Sequence, residues 1–145
     1  MGLGQALDIS ASGIEAQRRT MELIASNIAN INTTRTVYGV PYRRKIAVLS
    51  DKPISFSEVL SKAELRYSSE LGGVEVLDVV EDQTPFQKVY NPGHPDADEQ
   101  GFVKMPNVNL AKEMTDMTEI SRLYEANIVA FNSSRKMGSD LLQIQ

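Results

Sequence analysis

Cysteine and tryptophan are both missing from this chain of 145 residues. Without cysteine there is no disulfide framework and no thiolate-ligated zinc, and thiol usage assigns the chain to neither an oxidising nor a reducing compartment. Histidine occurs once, at His94, so a metal site built on two imidazoles is excluded. Proline is absent from both ends: Pro41, Pro53, Pro85, Pro92, Pro95 and Pro106 all fall in the middle. Long apolar runs are absent as well. Stretches such as Ile128 to Phe131 are far too short to span a bilayer. Asp8, Glu15, Arg18, Arg19 and Glu22 interrupt the first segment, which therefore does not read as a cleavable signal peptide. Nor is there an excess of positive charge. Lys and Arg sum to 15 against 19 Asp and Glu, for a net charge of −4, and no segment offers the basic face that phosphate backbones require.

What the proline-free ends contain instead is periodicity. Leu7, Ile14, Met21 and Ile28 recur at intervals of seven, with Leu3, Ile24 and Ile31 on a second line three or four positions away. Ala6, Ala11, Gly13, Ala16 and Ala25 surround this seam, so a neighbouring backbone can approach closely. The helix is expected to end near Asn30 to Asn32, ahead of β-branched Thr33, Thr34, Thr36 and Val37. After Pro106, with Asn107 or Asn109 as the cap, Leu110, Met117, Tyr124 and Phe131 keep the same interval. Met114, Ser121, Ile128 and Leu142 add a second line, and Leu123, Ala130, Met137 and Ile144 a third, which widens the apolar face beyond a two-line coiled-coil seam. The middle reads as strands at 42–49, 74–80, 87–90 and 102–105, with a turn at Gly72-Gly73 and a Pro/Gly/Asp-rich loop from Asn91 to Gly101. Residues 50–71 carry the weakest pattern and admit either a short helix around 56–65 or a mobile segment. The expected fold is α+β: terminal helices at 1–31 and 107–145 packing in a coiled-coil manner, and a small β-rich domain at 32–106.

Faces this wide on helices this long call for burial against other chains. The alternative is a helical hairpin closed within one chain. Asn27, Asn30, Gln17, Asn127 and Asn132 on the apolar flanks count against a dry hairpin unless neighbouring chains satisfy them. The residues expected to form an assembly interface are Leu7, Ile14, Met21, Ile24, Asn27, Ile28 and Asn30 in the first helix. Leu110, Met114, Met117, Tyr124, Asn127, Ile128 and Phe131 are their counterparts in the second.

Chemistry has little to stand on. Asp96, Asp98, Gln100 and Gly101 begin like a calcium loop, but the twelfth position, where a bidentate Glu closes the cage, is Asn107. A turn whose carboxylates cap backbone N–H groups accounts for the same residues. His94 lies two residues from Asp96, yet no Cys nucleophile, G-x-S-x-G elbow or second histidine completes a catalytic set. A loop histidine donating to a backbone carbonyl is the expectation there. The Arg43-Arg44-Lys45 cluster has no interleaved aromatic platform for nucleic acid and is expected on a strand edge facing acidic neighbours. No catalytic residue, cofactor or metal is expected.

The run from Ala11 to Thr34, ASGIEAQRRTMELIASNIANINTT, resembles the N-terminal signature of the bacterial flagellar rod and hook proteins, in which an A-x-N-x-A-N-x-x-T pattern closes the helix. Within that family, Tyr90 to Asp98 (YNPGHPDAD), Gly101 to Asn109 (GFVKMPNVN) and Arg122 to Ile128 (RLYEANI) are similar to the proximal rod proteins of the basal body. Asn91 stands where Asp is frequent, and Met105 where Tyr is. The resemblance implies a structural subunit exported by the flagellar type III apparatus without a cleaved signal. It also implies paired terminal helices forming the inner tube of an axial rod, with the β-containing middle outside. The implied partners are copies of itself, other rod proteins and the adaptor joining rod to membrane ring. A soluble coiled-coil adaptor or secretion-system component whose helices close as a dimer or trimer is the competing reading.

Overall fold

The computed structural model of the chain describes residues 3–52 and 72–143. The short helix expected around 56–65 lies outside these residues, as do the side chains of Leu3, Leu142 and Ile144. In chain order the elements are α1 (Leu3–Ala29), β1 (Lys45–Asp51), β2 (Val74–Glu81), β3 (Gln87–Tyr90), β4 (Phe102–Met105) and α2 (Leu110–Gln143). The α+β class holds, with long helices at the two ends and two small two-stranded sheets, β1 with β2 and β3 with β4, between them. By their internal contacts the residues form two compact units. One comprises Met1–Arg19, Leu49–Leu77 and Ser121–Gln145, the other Thr20–Val48 and Asp78–Ile120, so each holds part of both helices.

The helix ends are set by side chains. Asn30 closes α1: its backbone N–H and its Nδ2 both donate to the Ser26 carbonyl, its Oδ1 accepts from the Thr33 hydroxyl, and its own carbonyl takes the Thr33 N–H. These bonds occupy carbonyls that the last turn leaves open. Asn109, one of the two expected caps, opens α2 by accepting from the Lys112 N–H at 3.2 Å. Asn107 has a different role. Its Oδ1 accepts from the Arg44 N–H, and its Nδ2 donates to the carbonyls of Asp82 and Thr84 and to the Thr84 hydroxyl. That use of the Arg44 N–H is one reason β1 starts at Lys45 rather than at Tyr42.

β3 and β4 pair antiparallel, with Gln87 opposite Met105 and Tyr90 opposite Phe102. The rings of Tyr90 and Phe102 meet edge to face, with centroids 5.4 Å apart. Between them Asp98 accepts from the N–H groups of Gln100 and Phe102, and Gly101 takes a φ of 80° that a side chain disfavours. In this loop the Asp98 carboxylate caps backbone N–H groups, as the carboxylate-capped turn does. His94 departs from expectation by accepting through Nδ1 from the Asp96 N–H rather than donating to a carbonyl.

In the first unit the Gly72-Gly73 pair serves close approach. Ser12 on α1 accepts the Val74 N–H at 3.1 Å, and a Cβ placed on Gly73 would overlap the Ser12 hydroxyl. Only glycine lets the start of β2 come this near the helix.

Candidate assembly site

The two helices meet within the chain through polar side chains, one contact in each unit. In the first unit Asn127 of α2 donates to Gln17 of α1 at 3.0 Å, and a Cβ on Gly13 would come within 2.9 Å of the Asn127 amide. Gly13 is the gap into which that amide fits. In the second unit Asn27 of α1 donates to Glu113 of α2 at 3.0 Å. The amides suspected of needing neighbours are satisfied at home: Asn27, Asn30, Gln17 and Asn127 all have partners in their own chain. Asn132 is exposed.

Asn27 is the centre of the second unit. It is 1% exposed, and Glu113 is 0% exposed. Nδ2 of Asn27 donates to Glu113 and to the Lys45 carbonyl, while Oδ1 accepts from the Tyr42 hydroxyl and from the Lys45 N–H, each at 2.9 to 3.0 Å. A primary amide has two N–H donors and two oxygen lone pairs, and all four are used. The amide so joins α1, the entry of β1 and the first turn of α2.

Glu113 is held from a second side. Arg44 Nε donates to its other carboxylate oxygen, and Arg44 Nη2 reaches Asp116 at 3.2 Å. The basic cluster does face acidic neighbours: Arg44 is ion-paired with Glu113 and Asp116. Arg43 instead lies over the Phe86 ring at 4.4 Å and donates to the Asp82 carbonyl. Nearby, the Thr84 N–H donates to the Asp82 carboxylate at 2.9 Å, and chiefly through that bond the Asp82 pKa falls below the usual carboxylate value.

Of the expected interface residues, Ile24 is buried, Asn27 is buried by its hydrogen bonds, and Leu7, Ile14, Met21, Ile28 and Asn30 are half-buried. On α2, Met117, Tyr124, Asn127, Ile128 and Phe131 are half-buried, whereas Leu110 and Met114 are exposed. The row that α2 turns inward runs Glu113, Met117, Ile120, Tyr124, Asn127, Phe131, with intervals of four and three. Left uncovered on the same helix are Leu123, Val129, Met137 and Leu141. Glu113, Arg44, Tyr42 and Asn107 were missed as a set. A signal for Glu113 existed, since it is the one charged residue on a helical row that is otherwise apolar apart from Asn127.

The sequence has relatives among known proteins. The model of the flagella basal body rod protein matches residues 7–35, and that of the flagellar basal body rod FlgEFG protein C-terminal region matches residues 99–144. The flagellar basal-body rod protein FlgC of Bacillus subtilis is 42% identical over 143 residues, covering 96% of this chain and 95% of its own. This chain belongs to the flagellar basal-body rod protein family. The FlgC proteins of Borreliella burgdorferi, 37% identical over 99% of the chain and 98% of their own length, and of Salmonella typhimurium, 36% identical over 94% and 93%, are further relatives. The two matched regions of this rod protein hold most of α1, with Asn27 and Asn30, and all of α2, with Glu113 and Asn127.

Proposed function

We propose that the chain is a structural subunit of the flagellar basal-body rod, which stacks with copies of itself and with other rod proteins through its terminal helices. It makes and breaks no covalent bond. The rod it joins is the axial drive shaft that carries torque across the periplasm. The further partners of this reading are the adaptor between rod and membrane ring and the flagellar type III export apparatus, the latter acting without cleavage of a signal.

The observation that carries the proposal is the uncovered apolar surface of α2, above all Met137, 56% exposed, with Leu123, Val129 and Leu141. Pairing with α1 covers one side of α2 and leaves this side to water, so the single chain is an incomplete object. The expected seam residues divide accordingly. Ile24 and Asn27 hold the pair together, while Leu7, Ile14, Met21, Ile28, Met117, Tyr124, Ile128 and Phe131 are half-covered and close on neighbours. Leu110 and Met114 contribute contact area only in the assembly. A drive shaft suits this chemistry, because long hydrogen-bonded helices packed along an axis resist torsion and need no moving parts.

Met137→Asp tests the reading in a flagellated host whose only copy of this protein carries the change. Burying the remaining half of a Met side chain is worth on the order of 1 kcal/mol, and burying a carboxylate in its place costs several more. The purified variant is expected to melt like the parent, and the cells to build no complete rod and not to swim. Normal motility refutes the proposal. A parent chain that forms a closed dimer or trimer of fixed mass in light scattering favours the adaptor reading.

A further inference from the structure

The apolar seams of the two helices repeat every seven residues, so apolar packing alone does not define which turn of α1 faces which turn of α2. Leu7, Ile14, Met21 and Ile28 are interchangeable under a shift of one heptad, and so are Met117, Tyr124 and Phe131. A pair of sliding helices needs something aperiodic to fix it. Among the described residues, two polar contacts are of that kind: Gln17 with Asn127, seated over Gly13, and Asn27 with Glu113.

We propose that these two polar rungs, with Glu113 as the dominant member, are the register key of the helix pair, and that their role is specificity rather than net stability. The alternative register that the heptads permit moves α2 by seven residues along α1. It would put Ile120 in the place of Glu113, against Asn27 and Arg44, and Ser134 in the place of Asn127, against Gln17 and Gly13. Isoleucine accepts no hydrogen bond, and serine is too short to span the gap that the asparagine amide fills. The Asn27 amide loses a buried partner, and Arg44 loses the carboxylate that it shares with Asn27. Buried donors without acceptors are costly, and a buried charge without its partner more so. The shift in the opposite direction is closed, because Pro106 would occupy the place of Glu113 inside a helix. One competing register therefore remains, and the rungs exclude it.

Buried ion pairs commonly contribute little net stability relative to apolar residues of similar size, but a single buried polar group can fix coiled-coil alignment. The key therefore has its own signature. Replacing Glu113 by leucine removes the discrimination, since the new side chain and Ile120 then present similar surfaces to α1. Replacing it by glutamine preserves an acceptor for Asn27 and leaves the discrimination in place. Asp116 alone does not restore it, because it meets only Arg44.

The chain contains no cysteine, so spin labels go where they are placed. Ala11→Cys and Ser139→Cys sit on exposed positions of the two helices, away from both rungs. Pulsed electron–electron distance measurement on the labelled full chain is expected to give one narrow distance for the parent and for Glu113→Gln. Glu113→Leu is expected to add a second population displaced by up to ~10 Å, the rise of seven helical residues. A single unshifted distance in folded Glu113→Leu overturns the proposal, as does a parent whose distances are broad. Should Glu113→Leu not fold, Asn127→Leu removes the other rung, and a single unshifted distance in that variant overturns it equally.

Discussion

Asn27→Ala removes four hydrogen bonds at once, and the structure lets the loss be counted partner by partner. The Lys45 N–H and C=O lose their side-chain partner, the Tyr42 hydroxyl retains only a long contact of 3.4 Å to Ser26, and Glu113 retains only Arg44. At about 1 kcal/mol net for each bond the substitution costs about 4 kcal/mol, and more if the freed groups stay buried without water. Asn27→Asp separates this account from a simple packing account. Aspartate keeps the shape and both acceptor bonds, but turns an oxygen toward the Lys45 carbonyl at 2.9 Å and the Glu113 carboxylate at 3.0 Å. Two favourable contacts become repulsive ones, one of them between carboxylates. The aspartate variant is therefore expected to be no more stable than the alanine variant, although it differs from the parent by a single atom exchange. Urea unfolding followed by circular dichroism measures both, and an unchanged m-value certifies that the midpoint shift is a stability change. A loss below about 1 kcal/mol for Asn27→Ala, or clear rescue by aspartate, refutes the four-bond account.

Gly73→Ala is expected to destabilise by about 1 to 3 kcal/mol, because the new methyl overlaps the Ser12 hydroxyl and displaces it from the Val74 N–H. Ser12→Ala combined with it should recover part of the loss in the same unfolding assay. The lowered Asp82 pKa means that its ionised form favours the folded state. That contribution is present at pH values above the unfolded carboxylate pKa and disappears as pH falls through the lower folded value. Asp82→Asn is accordingly less stable than the parent at neutral pH, and the gap is expected to close on acidification in a pH series of melting curves. A gap that persists unchanged at low pH contradicts the assigned cause.

Much of the fold was legible in the sequence because its signals are local. The prolines bounded the middle, the seven-residue intervals marked both helices, and Gln87–Tyr90 and Phe102–Met105 were expected at the bounds they have. Asn109 as cap and Asp98 as turn former follow from short-range side-chain to backbone bonding, which spacing along the chain expresses directly. What the sequence hid is long-range. Nothing about Asn107 announces that it ties Arg44 to Thr84, and the chain brings Glu113 to Asn27 across the whole β-containing middle. Asn27 and Asn127 looked like groups in need of foreign partners because their own lie far away in sequence, whereas Asn30 is satisfied by Ser26 and Thr33 within its own turn. The row that α2 turns toward α1 differs from the expected seam for a related reason. Counting only apolar residues selects the line through Leu110 and Met114, whereas the inward row includes Glu113 and Asn127, whose polarity excludes them from such a count.

The same rows bear on how assembly can proceed. Met137 lies nine residues beyond Ile128, which at 3.6 residues per turn puts the two on roughly opposite sides of α2. Ile128 is half-buried in the single chain and Met137 is not. A neighbour that covers Met137 therefore approaches from a direction different from that of α1. Leu123 and Met137, two heptads apart and both exposed, give that second side a continuous strip. If the strip paired with its own copy about a twofold axis, the contact would close and growth would stop at two. If it meets a different surface, such as the half-covered residues of α1 around Leu7 and Ile14, each added subunit presents a fresh strip and growth continues. A rod requires the second case. The two cases are separable by mixing a chain carrying Met137→Asp with one carrying Ile14→Asp. Heterologous contacts allow this pair one productive interface between the intact strip of one and the intact flank of the other, so mixtures form capped dimers while neither variant associates alone. A twofold contact through the strip instead lets Ile14→Asp dimerise by itself, and that result would exclude continuous growth through this face.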